Sequence, residues 1–207
     1  HIYSQNKESK KILNEGKLLF RLEKGSWYGT DDMLVRFKTK KDSLGGYVSY
    51  ETDENKINTI FFSQFNSDKI LIRYVFDSLP KPIPIRIDTL NQNATALEKS
   101  LISMLKDARE KAFSNKDDFF SFYENTSLNF IPIINKKERN VFVLTGPQVS
   151  KIVILGNDYK LSYNKKNKLI QKERIHNSIL NFPYTSKDKK TKTVSTIHSH
   201  LVTDYIS

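Results

Sequence analysis

The sequence predicts an α+β fold: N-terminal helices and an antiparallel meander, then a central amphipathic helix, then a second antiparallel β region. Three observations carry this prediction. Apolar residues recur at helical spacing from Leu97 to Ala112, behind a helix-capping sequence. Runs rich in β-branched and aromatic residues, bounded by turn-forming residues, fill 47–76 and most of the chain after Asn125. The 207-residue chain is 38% hydrophobic and 12% aromatic, which supplies the large side chains a buried core needs and disordered chains lack.

From Ser9 to Glu23, Ile12, Leu13, Leu19 and Phe20 fall on one stripe and predict an amphipathic helix with Gly16 as its weak point. Gly25-Ser26-Trp27-Tyr28-Gly29-Thr30 reads as a loop anchored by Trp27. Thr30 or Asp31 then caps a second short helix through Met33, Leu34 and Phe37. After Gly45-Gly46, the segments 47–50, 57–63 and 69–76 form a three-stranded antiparallel meander. The prolines at 80, 82 and 84 remove backbone donors, so 79–84 is a connector or an edge, leading to a short strand over 85–88.

Thr95-Ala96-Leu97-Glu98 matches a capping box, and Leu97, Leu101, Leu105, Ala108 and Ala112 repeat behind it up to Ser114-Asn115. A helical turn carrying Phe119, Phe120, Phe122 and Tyr123 into the core follows. Strands are expected over 128–134, 141–145, 151–155, 159–163, 169–175 and 193–198, with turns at Gly146-Pro147, Gly156-Asn157-Asp158 and 164–168. A boundary near Asn125 divides the chain into a helical and meander region, 1–125, and a β-rich region, 126–207, which can share one core.

With 34 basic and 23 acidic residues the net charge is +11. Only seven of the basic residues are arginines, placed singly, and arginine is the residue suited to bidentate phosphate contacts; the lysines read as solvated surface. Nucleic acid is therefore not the expected partner, and a protein or peptide is. No apolar run approaches the length of a membrane span. Asp31-Asp32 and Asp117-Asp118 read as charge at helix starts, since adjacent carboxylates point apart. Without cysteine, a metal site must be built from His, Asp, Glu or backbone oxygen. The polar segment 2–6 behind His1 resembles the start of a chain after signal-peptide cleavage, or a tag scar; the first reading implies export, to the periplasm or beyond the cell.

The chemically suggestive cluster is His198-Ser199-His200, with Asp204 close behind. On a strand, residues two apart face the same side, so both imidazoles can meet one cation while a following loop brings in a carboxylate. Zinc held this way leaves a position where bound water becomes a nucleophile. His176 is a third imidazole, read as structural.

This stretch resembles the metal motif of the JAB/MPN (JAMM) metalloprotease family, in which a strand ending in His-Ser/Thr-His precedes a loop and Ser-x-x-Asp. The resemblance implies that His198 and His200 bind zinc, that Ser207 matches the motif serine, and that a glutamate acts as general base, with Glu138 and Glu173 the acidic residues of that type in the β-rich half. It differs in having Leu201 where the family has proline, and six rather than seven residues before the serine; the motif's aspartate is expected past Ser207. The Gly25–Asp31 and 143–148 segments also resemble those of exported bacterial proteins without assigned activity. Two functions stay open: a zinc hydrolase of the metallopeptidase kind, using His198, His200 and Asp204, or a binding module without metal that uses its sheet surface or the Trp27 segment.

Overall fold

The computed structural model describes residues 2–176 and 178–183, and the α+β class holds: two helices pack with antiparallel sheets. Helix α1 runs Ile2–Arg36, and a 3-10 turn at Lys38–Ser43 delivers the chain into β1 (Leu44–Glu51). β2 (Ile57–Ser63) and β3 (Lys69–Phe76) complete the expected meander, and the short β4 (Arg86–Asp88) and β5 (Gln92–Asn93) both pair with β3. Helix α2 (Ala96–Ser114) begins at the predicted capping box: Thr95 Oγ1 accepts from Glu98 N at 3.2 Å and Glu98 Oε2 accepts from Thr95 N at 2.8 Å. It stops where Asn115 turns left-handed.

The first sheet is covered on both sides because β2 and β3 carry large apolar residues on both faces. One face, with Ile57, Phe61, Ile72, Tyr74 and Phe76, packs with Leu22 and Met33 of α1. The other, with Val48, Ile60, Phe62 and Ile70, packs with Leu101, Met104, Leu105 and Ala108 of α2. Both clusters continue into a second sheet, ordered β10-β9-β7-β6, from β6 (Thr126–Ile134), β7 (Arg139–Pro147), β9 (Tyr159–Tyr163) and β10 (Leu169–Arg174). β8 (Ile152–Gly156) leaves that sheet and pairs instead with β11 (Ile179–Pro183), a strand the sequence did not disclose.

Four local expectations are corrected, and the simplest is that Gly146-Pro147 is not a turn, since both residues lie in β7, paired with Ser127 and Thr126. The segment Gly25–Thr30 is not a loop, and no second helix starts after it: α1 passes straight through. Its glycines serve close approach, since a Cβ on Gly25 would lie 2.8 Å from Ile57 Cγ2 and one on Gly29 would lie 3.2 Å from Thr59 Cγ2. Between them the Ser26, Ser49 and Thr59 hydroxyls form a buried chain, 2.7 and 2.6 Å apart, that joins helix to sheet. Trp27, on the opposite side of the helix, is 64% exposed and anchors nothing inward.

The expected helical turn over Phe119–Tyr123 is irregular chain. Asn115 ties it instead, donating to Phe120 O and accepting from Phe120 N, both at 2.9 Å. Of its aromatics Phe120 is buried, whereas Phe122 and Tyr123 are exposed. The paired aspartates are not at helix starts either. Asp32 lies near the end of α1, bonded to Arg36 and to the Tyr74 hydroxyl, and Asp117 follows α2 and meets Lys172.

Substitution at the two kinds of helical glycine should therefore have opposite signs. Gly25→Val is expected to lower stability by about 1 to 3 kcal/mol through overpacking against Ile57. Gly16→Ala, where a Cβ meets nothing within 4 Å, is expected to raise it by roughly 0.5 to 1 kcal/mol. Urea denaturation of each variant measures both, and equal signs would remove the close-approach argument.

Candidate binding cleft

The first half of α1 overhangs the tip of the β6–β7 hairpin and leaves between them an open cleft of about 1220 Å³. Leu18 of α1 and Ile133 of β6 supply its apolar floor. Seven basic and three acidic residues line it, and their pairing decides what charge remains available.

The hairpin tip is set by Asn135, whose side-chain oxygen accepts from the backbone N–H groups of Lys137 and Glu138, both at 2.8 Å. This turn projects Lys136 and Lys137 beside the cleft and leaves Glu138 facing α1. There Lys11 Nζ lies 2.8 Å from Glu138 Oε1, and Asn140 donates to Oε2 at 3.1 Å; the Lys11 ammonium holds this carboxyl below the usual range. Arg21 closes the other end. It pairs with Glu51 at 2.7 Å, donates to Asn55 O and Oδ1 at 3.0 and 2.8 Å, and reaches Ser78 O.

Lys11 and Arg21 are thus neutralised by Glu138 and Glu51. Lys7, Lys10, Lys17, Lys136 and Lys137 have no carboxylate within ion-pair distance among the described residues, and Glu15 is the single acid left to offset them. The cleft carries a surplus of positive charge over an apolar floor.

At the joint of α1 with β1 and β6 lies a second electrostatic feature. Asn129 donates to Glu23 Oε2 and accepts from the Tyr47 hydroxyl at 3.3 Å. Burial pushes the Glu23 carboxyl up to about 7, against the opposing effect of the Asn129 hydrogen bond.

The residues singled out from the sequence fall as follows. His198, His200, Asp204 and Ser207, with the strand expected over 193–198, lie outside the described residues. His176 Nδ1 sits 3.0 Å from Asp158 Oδ2, while Asp158 Oδ1 accepts from Thr145 N at 2.7 Å, so this imidazole belongs to a structural cluster at the β7–β9 corner. Glu138 is engaged by Lys11, and Glu173 is exposed on β10. Among the described residues no group of three or more His, Asp or Glu side chains converges as a metal site would require. Sequence reasoning missed the cleft because it read the lysines as solvated surface. The available signal was the helical recurrence of Lys7, Lys10, Lys11 and Lys17, but nothing in sequence places residue 136 beside it.

A carboxyl raised by burial disfavours its charged form, so the cost to folding is absent below the ordinary value of 4.5 and complete above about 7. Glu23→Gln is expected to stabilise the protein by on the order of 1 to 2 kcal/mol at about pH 8 and by little at about pH 5. Urea denaturation of variant and parent at both pH values checks this. A pH-independent difference would show that Glu23 does not titrate between them.

No family model, characterised protein or solved structure matches this chain, and its function is read from the charge and shape of the cleft.

Proposed function

We propose that this protein is a binding module whose cleft holds an acidic, partly apolar peptide segment of a partner protein. The observation that carries this reading is the set of five lysines that have no carboxylate partner among the described residues, around the Leu18 and Ile133 floor. Unpaired ammonium groups attract carboxylates and raise association rates, while an apolar floor rewards interspersed leucine or phenylalanine. A volume of about 1220 Å³ exceeds the roughly 300 to 1,000 Å³ of small-ligand pockets, which favours a chain segment over a metabolite. Its one arginine, Arg21, is already engaged by Glu51 and Asn55, so the cations left to a ligand are lysines, which favours carboxylates over the bidentate phosphate contacts of nucleic acid.

Fluorescence anisotropy with a labelled peptide of glutamate, aspartate and interspersed leucine tests this. Binding is expected to weaken with added salt and to fall about tenfold or more in Lys10→Glu with Lys136→Glu, which reverses two cleft charges. Lys151→Glu, in the β7–β8 turn at the opposite end of β7 from the hairpin tip, should leave it unchanged. Tighter capture of labelled oligo-dT by the same cleft would replace the peptide with nucleic acid, and binding insensitive to both cleft charges would end the proposal.

A second reading rests on His198-Ser199-His200 and its likeness to the JAMM motif. It makes the chain a zinc hydrolase in which His198, His200 and a carboxylate such as Asp204 hold the ion. Metal analysis of purified protein is then expected to give about one zinc per chain, lost in His198→Ala with His200→Ala. Zinc-free protein that stays zinc-free on incubation with the ion would exclude this reading without touching the cleft.

A further inference from the structure

Helix α1 has a second, outward ridge. Leu13, Phe20, Trp27 and Leu34 stand seven residues apart, and each is exposed, by 56, 56, 64 and 43%. Beside them run Lys10, Lys17 and Lys24 at the same spacing, followed by Asp31. Because seven residues fall just short of two turns, these positions form a nearly straight row about 32 Å long. Trp27 lies two residues from each of the sheet-facing glycines Gly25 and Gly29, hence about 200° round the helix, on the side away from the core. The middle of the ridge is ordered by its own contacts: Trp27 stacks on Tyr28 at 5.9 Å, and the Lys24 ammonium sits 5.4 Å from the Phe20 ring and 5.5 Å from Tyr28.

From this pattern we infer that the outer face of α1 docks the protein on an anionic lipid surface. A flat bilayer fits a convex ridge, where a peptide or small ligand needs a concavity. The aromatic and leucine side chains reach the boundary of headgroups and acyl chains, and the lysine stems lie along it with their ammonium groups on lipid phosphates. A second copy of the chain fits less well. Helix pairing needs two apolar positions per seven residues, whereas this ridge has one with lysine in place of the other, so paired ridges would set lysine rows together. The net charge of +11 adds long-range attraction to the same surface. No helix among the described residues is long and apolar enough to cross a membrane, so the contact is peripheral.

Trp27 is the chain's single tryptophan, which makes its emission a reporter of this face alone. The full chain is mixed with vesicles of phosphatidylcholine, or of phosphatidylcholine with phosphatidylglycerol, and both sedimentation and Trp27 emission are recorded. Pelleting with the anionic vesicles, accompanied by a blue shift, is expected, with neither effect on neutral vesicles. Lys24→Glu and Phe20→Ser, outside the cleft, should each reduce partition about fivefold or more at unchanged circular dichroism. Lys136→Glu with Lys137→Glu should leave the blue shift intact, which separates this face from the cleft. The inference is overturned by absence of pelleting, by pelleting without change in Trp27 emission, by ridge variants that bind as the parent does, or by oligo-dT shifting Trp27 emission while vesicles do not.

Discussion

One buried carboxylate holds the first sheet and α2 in register. Glu98, with 0% of its side chain exposed, accepts from Thr95 N as the reciprocal half of the helix cap, from the Tyr50 hydroxyl of β1 at 2.7 Å, and from both terminal nitrogens of Arg73 on β3. Asn58 of β2 donates to the same Tyr50 oxygen at 3.1 Å, so the first turn of α2 is bonded to three consecutive strands. Burial pushes the Glu98 carboxyl up, but the bonds from Arg73, Thr95 and Tyr50 outweigh it and hold the group below its ordinary range. Its contribution is therefore present near neutrality and lost in acid, as pH falls through the lowered value. Removal of either partner would leave a buried charge uncompensated, which makes the pair a constraint on how α2 lies even where its net contribution to stability is small.

With α2 fixed on one face, the other face of the sheet is free to receive α1, and small residues decide how closely. Gly25, Ser26 and Gly29 bring the helix backbone down onto Ile57, Thr59 and Phe61, while Leu22 and Met33 bury on either side. Close seating has a functional result. A helix tied to the sheet over its middle must hold its first half in a fixed position above the β6–β7 hairpin, and the Arg21 and Lys11 pairs secure both flanks of that overhang. The cleft exists because the helix is longer than the sheet it covers.

The same rigid rod then presents two surfaces of different character. Toward the hairpin it offers lysines around an apolar floor, a concave setting for an extended acidic segment. Away from the core it offers a convex row of leucine, phenylalanine and tryptophan alternating with lysine. Lys10 and Lys17 stand between the two, so a protein seated on lipid through the ridge would hold the cleft close to the bilayer, where the partner's acidic segment and lipid phosphates compete for the same ammonium groups.

Local pattern was enough for the meander, whose boundaries at 57–63 and 69–76 are those observed, and for α2, where the Thr95–Glu98 box and the four-residue apolar repeat agree. These features are short-range: alternation, spacing and capping act within a few residues. Non-local contact decided the rest. Glycine spacing in 25–30 breaks a helix in isolation but lets one dock when a sheet lies beneath, and Trp27 faces outward because Gly25 and Gly29 face in. Glu98 was legible as a cap, yet only the fold brings Arg73 and Tyr50 to it. Likewise the charge was visible as a total of +11, but which lysines stand unpaired around one cleft follows from placing Glu138 and Glu51 beside Lys11 and Arg21. Sequence determined the elements and the sign of the charge; tertiary structure decided where that charge is concentrated, because pairing depends on distances between residues 30 positions apart for Arg21 and Glu51 and 127 apart for Lys11 and Glu138.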